Sequence, residues 1–154
     1  MKKLADNGIW DFLFVAFVLV SCNVIKNLPA EKKGIESLDG TWKLESTNDN
    51  NALMGSTIYV YPLTGDGLIT NLQNNSYCVR PSEIIWKDIT TAEKDGFNIH
   101  SLTNSCISSL VYKPATLTLI NKDEIKLTGQ TASGNELEQT WKRVIVNKEL
   151  TGRK

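Results

Sequence analysis

Short segments rich in β-branched and aromatic residues recur about every ten residues from Gly40 onward, and this spacing constrains the fold most strongly. Clusters of Gly, Asn, Asp and Pro separate these segments, which favours short antiparallel strands joined by turns. The predicted strands lie near Thr41–Ser46, Thr57–Tyr61, Leu68–Leu72, Glu83–Ile89, Phe97–Leu102, Ser109–Tyr112, Thr116–Ile120, Glu124–Thr128 and Glu136–Val146.

Apolar and polar residues alternate within several of these segments, as they do in a strand with one dry face. In the first strand, Trp42 and Leu44 share a face, and Lys43 lies on the other. The corresponding face of the last strand carries Leu137, Gln139, Trp141 and Arg143. Turn-forming residues at 65–67 and 121–123 indicate hairpins, so sequential strands form a meander. We predict an all-β fold, an antiparallel up-and-down barrel of eight or nine strands.

The charge balance argues against a nucleic-acid partner. The 154 residues include 17 basic and 17 acidic side chains, which gives a formal net charge of zero. No global field therefore attracts a polyanion. The length fits one domain with a real core.

The N-terminus has the pattern of a secretory signal peptide. A positive start, Met1-Lys2-Lys3, precedes the nine-residue apolar run from Phe12 to Val20. Nine residues extend only about 13 Å as a helix, and crossing a bilayer core takes about 20 residues. The run cannot span a membrane alone. Its apolar residues also lack a helical stripe, which argues against a core helix.

The residues that end this run, Leu19-Val20-Ser21-Cys22, resemble the bacterial lipobox. The resemblance implies that Cys22 receives a diacylglyceryl group and becomes the first residue of a membrane-anchored lipoprotein. An ordinary secretory signal with an incidental cysteine and an uncleaved anchor are the alternatives. The expected organisation is a signal peptide (1–21), a lipidated cysteine and tether (22–37), a barrel (38–148) and a flexible tail (149–154). The expected location is the bacterial cell envelope, at the outer membrane, with the side of the membrane left open.

Once Cys22 is assigned to lipid attachment, Cys78 and Cys106 remain as an even pair. Disulfides persist in the oxidising envelope, so we predict a bond between them. Two separate, reduced and buried thiols are the alternative.

The segment Gly40-Thr41-Trp42 resembles the Gly-x-Trp motif that opens lipocalin-like domains. The resemblance implies that a basic residue of the last strand packs across Trp42 and closes one end of the barrel. Arg143 is the best match for this residue and Lys142 is the second. The segment "LDGTWKL" also resembles the start of the small META-type envelope domains, but "NSYCVRP" lacks their Gly-Cys-Asn order. This family is the alternative.

Conventional catalytic patterns are missing from the sequence. His100 is the lone histidine and no Gly-x-Ser-x-Gly elbow occurs, so we predict a non-enzymatic protein with a solvated His100. The segment 48–51, Asn-Asp-Asn-Asn, lacks the spacing of an EF-hand and is predicted to be a solvated loop. No cofactor and no metal site are expected.

Two functions of different classes follow from a tethered barrel. In the first, the lumen holds a small apolar ligand; the alternative for the same residues is that they fill the lumen themselves. The candidate ligand-binding residues, beside Trp42, are Leu44, Ile58, Val60, Ile85, Phe97, Ile99, Leu117 and Leu127. In the second, the domain is an interaction or inhibitor module that contacts an envelope protein through loops and exposed aromatics. The candidate contact residues are Tyr59, Tyr61, Trp86 and Tyr112.

Overall fold

A computed structural model describes residues 34–94, 96–104, 106 and 109–145 of the chain. The predicted signal peptide, the lipid-attachment residue Cys22, most of the tether and the predicted tail lie outside the described residues. Within the described residues, no helix combines the length and the apolarity that a transmembrane span requires.

Eight antiparallel strands form a closed barrel in which each strand pairs with the next in sequence and the last pairs with the first. This arrangement confirms the predicted all-β, up-and-down barrel. A short 3-10 turn, Ile35–Leu38, precedes the first strand. The strands are β1 (Gly40–Thr47), β2 (Thr57–Tyr61), β3 (Asp66–Asn71), β4 (Ile84–Thr91), β5 (Gly96–Asn104), β6 (Val111–Asn121), β7 (Glu124–Gln130) and β8 (Glu136–Arg143).

The predicted strands near Ser109–Tyr112 and Thr116–Ile120 are one strand, β6, so the count is eight rather than nine. Pro114 lies between the two predicted segments and pairs with His100 of β5. The pairing of β6 with β7 begins further along, at Thr116. A proline lacks the backbone N–H of a ladder, and it is tolerated in a strand where that donor is not needed.

Alternation places one face of each strand in a continuous core. In β8, Leu137, Gln139 and Trp141 are buried, whereas Glu136 and Glu138 are exposed. The same alternation buries Trp42 and Leu44 in β1. One dry face and one wet face per strand is what barrel closure requires.

Trp86 was predicted to be an exposed contact residue, and this prediction is wrong, because its side chain is fully buried. One step along β3, from Gly67 to Leu68, matches two steps along β4, from Trp86 to Ile84, so Ile85 is an extra residue. A bulge of this kind re-aims side chains, and both Ile85 and Trp86 are buried. Gly67 leaves room for the indole, since a Cβ there would lie 3.2 Å from the Cβ of Trp86.

The disulfide end of the barrel, as we name it, is formed by the β1–β2, β3–β4, β5–β6 and β7–β8 connections. Cys78 and Cys106 are bonded there, which confirms the predicted disulfide and joins the β3–β4 and β5–β6 connections. A cross-link over a loop of this size typically stabilises a fold by about 2–4 kcal/mol. The β1–β2 connection adds a plug, because its residues Ala52 and Leu53 are buried against the core.

The tether end, the opposite end of the barrel, is closed by Arg143. Its guanidinium carbon lies 4.1 Å from the centroid of the Trp42 ring. The same guanidinium donates hydrogen bonds to the carbonyls of Ser37 (2.8 Å), Lys122 (2.9 Å) and Asp39. Arg143 therefore joins the 3-10 turn, the start of β1 and the β6–β7 hairpin.

Two neighbours complete this closure. Trp42 donates its indole N–H to the carbonyl of Leu38 at 2.8 Å, which fixes the ring beneath Arg143. Gly40 has a φ of +125°, and a Cβ there would lie 2.8 Å from Arg143 Nη1. Only glycine meets both demands easily.

We predict that Arg143→Lys lowers the free energy of unfolding by about 1–3 kcal/mol. Lysine keeps the charge over Trp42, but its compact ammonium cannot reach three carbonyls of different segments as the forked guanidinium does. Urea denaturation measures the change. Lys142→Ala, on the adjacent exposed position, is the matched control and should stay within about 0.5 kcal/mol of the parent. Equal stability of Arg143→Lys and the parent would contradict this role.

Candidate functional site

The residues predicted to bind a ligand in the lumen pack against one another. Their exposed fractions do not exceed 3%, and all of them belong to one core cluster. An open lumen would leave accessible surface on the side chains that line it. In this structure the positions Leu44, Ile58, Val60, Ile85, Phe97, Ile99, Leu117 and Leu127 form a filled interior.

Bulky aromatic residues account for much of this filling. Trp42, Trp86 and Trp141 are each 0% exposed, and the rings of Trp86 and Trp141 meet edge to face with centroids 4.9 Å apart. The inward amide of Gln139 accepts a hydrogen bond from the Trp141 indole at 3.1 Å. Among the described residues, no buried side-chain nitrogen or oxygen lacks a hydrogen-bond partner. These interior polar groups are thus satisfied without a ligand.

Among the described residues, a broad concavity lies on the outer wall of the barrel, across β4 to β8, and we call it the wall groove. Its volume is about 770 Å³, within the range of small-molecule sites. Ile99, Ala115 and Gly129 also line it. Its polar lining residues are Asp88, Thr90, Asn98, His100, Thr116, Thr128, Gln130 and Glu136.

Strand register brings these polar residues together. Asn98 pairs with Thr116, which in turn pairs with Thr128, so three uncharged polar side chains form one row across β5, β6 and β7. A second row contains His100 opposite Pro114. Because side chains alternate along a strand, both rows point away from the core.

His100 lies in the wall groove and is exposed, in accordance with the predicted surface position. Its Nδ1 lies 3.0 Å from the Asp88 carboxylate. Asp88 has a φ of +57°, and it lies in the irregular stretch where β4 and β5 shift register between Lys87 and Thr90. Bulges commonly re-aim a side chain next to a functional site. The contact with Asp88 orients the imidazole of His100 in the wall groove, and both side chains are solvated.

The segment 48–51 contributes more than a solvated loop. Asn48 receives a hydrogen bond from the Glu138 N–H at 2.9 Å and donates one to the Glu136 carbonyl at 3.2 Å. Asp49 accepts a 2.6 Å hydrogen bond from the hydroxyl of Tyr77. The loop is therefore attached to β8 and to the β3–β4 connection. In the described part of the chain, no three His, Cys, Asp or Glu side chains are grouped as metal ligands would be.

The alternation in the sequence predicts the inward faces of the strands, but it does not predict the wall groove. The sequence signal that could have indicated the wall groove is the uncharged polar character of the outward positions on β5 to β7, namely Asn98, Thr116 and Thr128.

The remaining aromatic candidates for contact lie outside the wall groove. Tyr59 and Tyr61 pack together near the tether end with ring centroids 4.5 Å apart, and half-buried Tyr112 donates to the Ile84 carbonyl at 2.7 Å.

No protein-family model matches this chain, and no curated protein is significantly similar to it. A search of solved structures finds a redesigned beta barrel with a TM-score of 0.49 and 16% sequence identity. The match covers 76% of this chain and 100% of the redesigned barrel.

We predict that Tyr77 makes the fold sensitive to alkaline pH. Burial, and then the hydrogen bond to Asp49, raise the pKa of Tyr77 above its usual value of 10. Its contribution to stability is therefore complete below pH 10 and is lost as the pH rises further, because only the unfolded state ionises there. One proton of difference corresponds to about 1.4 kcal/mol per pH unit.

Tyr77→Phe removes this titration. We expect its free energy of unfolding to fall less steeply than that of the parent above pH 10, although the variant loses about 1 kcal/mol at neutral pH with its hydrogen bond. Chemical denaturation between pH 8 and about 11.5 gives both slopes. Parallel slopes would show that Tyr77 does not control the alkaline transition.

Proposed function

We propose that the chain is a lipid-anchored lipoprotein of the bacterial envelope whose barrel is a non-enzymatic protein-interaction module. The filled interior is the observation that carries this proposal, because residues suited to a ligand-binding lumen are at most 3% exposed. Binding then falls to the outer surface, and the wall groove is the surface best suited to it.

The chemistry of the wall groove favours a polar partner segment. Its hydroxyl and amide side chains can donate and accept hydrogen bonds, and Asp88 and Glu136 supply two carboxylates. Ile99, Ala115 and Gly129 lie among them. An extended segment with basic and amide groups would satisfy these side chains better than an apolar molecule would.

Two features support placement in the envelope. The segment Leu19–Cys22 resembles a lipobox, and Cys22 is its lipid attachment residue. One acyl chain gives only marginal membrane binding, whereas two acyl chains anchor a protein stably. The Cys78–Cys106 disulfide requires an oxidising environment to persist. A lipocalin-like origin for the barrel agrees with Gly40, Trp42 and Arg143 at the closed end.

Carriage of a small apolar ligand is the second candidate. Its support is the closed-barrel architecture, since an eight-stranded barrel can hold one small ligand. An occupant of the lumen would displace packed side chains such as Phe97 and Leu117. Each fully buried side chain of this kind contributes about 1.5–3 kcal/mol. A ligand would have to replace this packing before it gained any affinity.

We predict that Cys22→Ala releases the protein from the membrane fraction. Without the thiol no diacylglyceryl group can be attached, and the rest of the chain lacks that anchor. Immunoblotting of washed membranes and supernatants, with the parent chain as control, measures the redistribution. Retention of Cys22→Ala in the washed pellet would contradict the lipid anchor.

A photo-crosslinking experiment tests the wall groove in cells. With a photoreactive amino acid at Thr128 of the full-length chain, we expect an adduct of defined mass with one envelope protein. The same amino acid at Thr70, on the outer face of β3, is the matched control and should give no such adduct. Thr116→Arg fills the wall groove with a long charged side chain, so it should abolish the adduct at Thr128.

Two results would overturn the interaction proposal. One is an adduct that survives Thr116→Arg, since binding would then not involve the wall groove. The other is native mass spectrometry of the purified protein that reveals a bound small apolar molecule, because this would place the function in the lumen.

A further inference from the structure

Exposed apolar side chains are concentrated at one end of the barrel. Among the described residues, six large apolar side chains are exposed, and Leu110, at the disulfide end, is one of them. The other five lie at the tether end, and we call them the apolar rim: Tyr61, Leu63, Ile120, Val144 and Ile145. Single exposed apolar residues scattered over a surface are normal, whereas five of the six here lie at one end.

Leu63 is the most prominent member of the apolar rim. It lies in the β2–β3 hairpin turn and is 102% exposed, so its side chain has no packing within the barrel. The Tyr59–Tyr61 pair stands beside it, with the Tyr59 hydroxyl bonded to Asp39 at 2.9 Å. An apolar tip next to tyrosines with polar hydroxyls is the composition of a membrane-interface contact.

We infer that the apolar rim docks on the surface of a phospholipid bilayer and inserts Leu63 among the lipids. The inference rests on the lipid anchor of the proposed function. Twelve peptide steps separate Cys22 from Gly34, and an extended chain spans at most about 3.6 Å per residue. The point where the chain enters the barrel therefore lies within about 45 Å of the anchored lipid, whatever the conformation of the tether.

The shape of the apolar rim distinguishes lipid from a protein partner. A leucine that projects fully from a hairpin turn is convex, and it needs a deformable apolar phase or a matching pocket. The lipid anchor holds the barrel next to the bilayer, so this deformable apolar phase is present at high local concentration. Glu36 and Asp39 share a concavity with Tyr61 and Leu63, and the exposed Lys122 lies in the β6–β7 hairpin at the same end. Charges of both signs at this end fit a zwitterionic bilayer better than an anionic one.

Tryptophan fluorescence tests this docking in the mature acylated protein. Of the four tryptophans, Trp42, Trp86 and Trp141 are buried, and Trp10 belongs to the predicted signal peptide, which is removed from the acylated protein. Leu63→Trp therefore introduces a tryptophan at the apolar rim over a constant background. In phosphatidylcholine vesicles with brominated acyl chains, we expect the introduced indole to lose emission and to shift to shorter wavelength. Leu110→Trp, at the disulfide end, is the matched control and should keep both its intensity and its wavelength.

Flotation of the same vesicles separates the two proposals. Protein that floats with the vesicles but shows no quenching at position 63 retains the anchor and overturns the docking. Protein that does not float contradicts the anchor and the docking together. Equal quenching at positions 63 and 110 also overturns the docking, because the barrel would then have no preferred end. A shift that appears without lipid and grows with protein concentration overturns it too, and assigns the apolar rim to a second copy instead.

Because tryptophan itself favours membrane interfaces, a second measurement uses the parent side chain. Hydrogen exchange of the β2–β3 hairpin in the acylated parent should slow on vesicles, relative to Leu63→Asp on the same vesicles. Leu63 is fully exposed, so this substitution leaves the core intact. Identical exchange in the two proteins would overturn the docking.

Discussion

Antiparallel pairing of β8 with β1 leaves this sheet without edges, and one limit of that pairing is held by the contact between Arg143 and Trp42. It joins the last residue of β8 to the indole of β1, with the guanidinium 4.1 Å from the ring centroid. Without the pairing of β1 with β8, these two strands would be the edges of an open sheet, with unpaired backbone groups along each. The three carbonyl bonds of Arg143 extend this closure to the 3-10 turn and to the β6–β7 hairpin. The core is sealed at the tether end as a consequence.

Closure and filling together decide where binding can occur. An eight-stranded barrel has room either for its own side chains or for one small ligand, and here three buried tryptophans occupy much of that room. Such an interior stabilises the fold, but it leaves no accessible lumen at the residues predicted to hold a ligand. The proposed interaction therefore uses the outer wall, where the rows of polar side chains meet the irregular stretch of β4 near Asp88.

Local periodicity predicted what depends on local sequence. The inward positions of β1 and β8 and the disulfide pair follow from alternation and from an even cysteine count. The position of Trp86 could not be predicted in this way, because the bulge at Ile85 depends on how β4 pairs with β3. Pro114 likewise led to the prediction of two strands where the structure has one. Whether a strand tolerates a proline depends on whether a neighbouring strand needs the missing N–H, which the sequence does not show. The wall groove was missed because it exists only once strands are adjacent in space.

The two surfaces proposed for contact do not compete for the same part of the barrel. The apolar rim contains residues at the tether end, whereas Gln130 and Glu136, at one limit of the wall groove, flank the β7–β8 turn at the disulfide end. A barrel that rests on a bilayer through Leu63 therefore keeps the wall groove directed sideways and away from the lipids. The stapled connections at the disulfide end then face the solvent, where a protein partner would approach. The proposed anchoring and the proposed recognition are thus compatible, because the filled core separates the two surfaces.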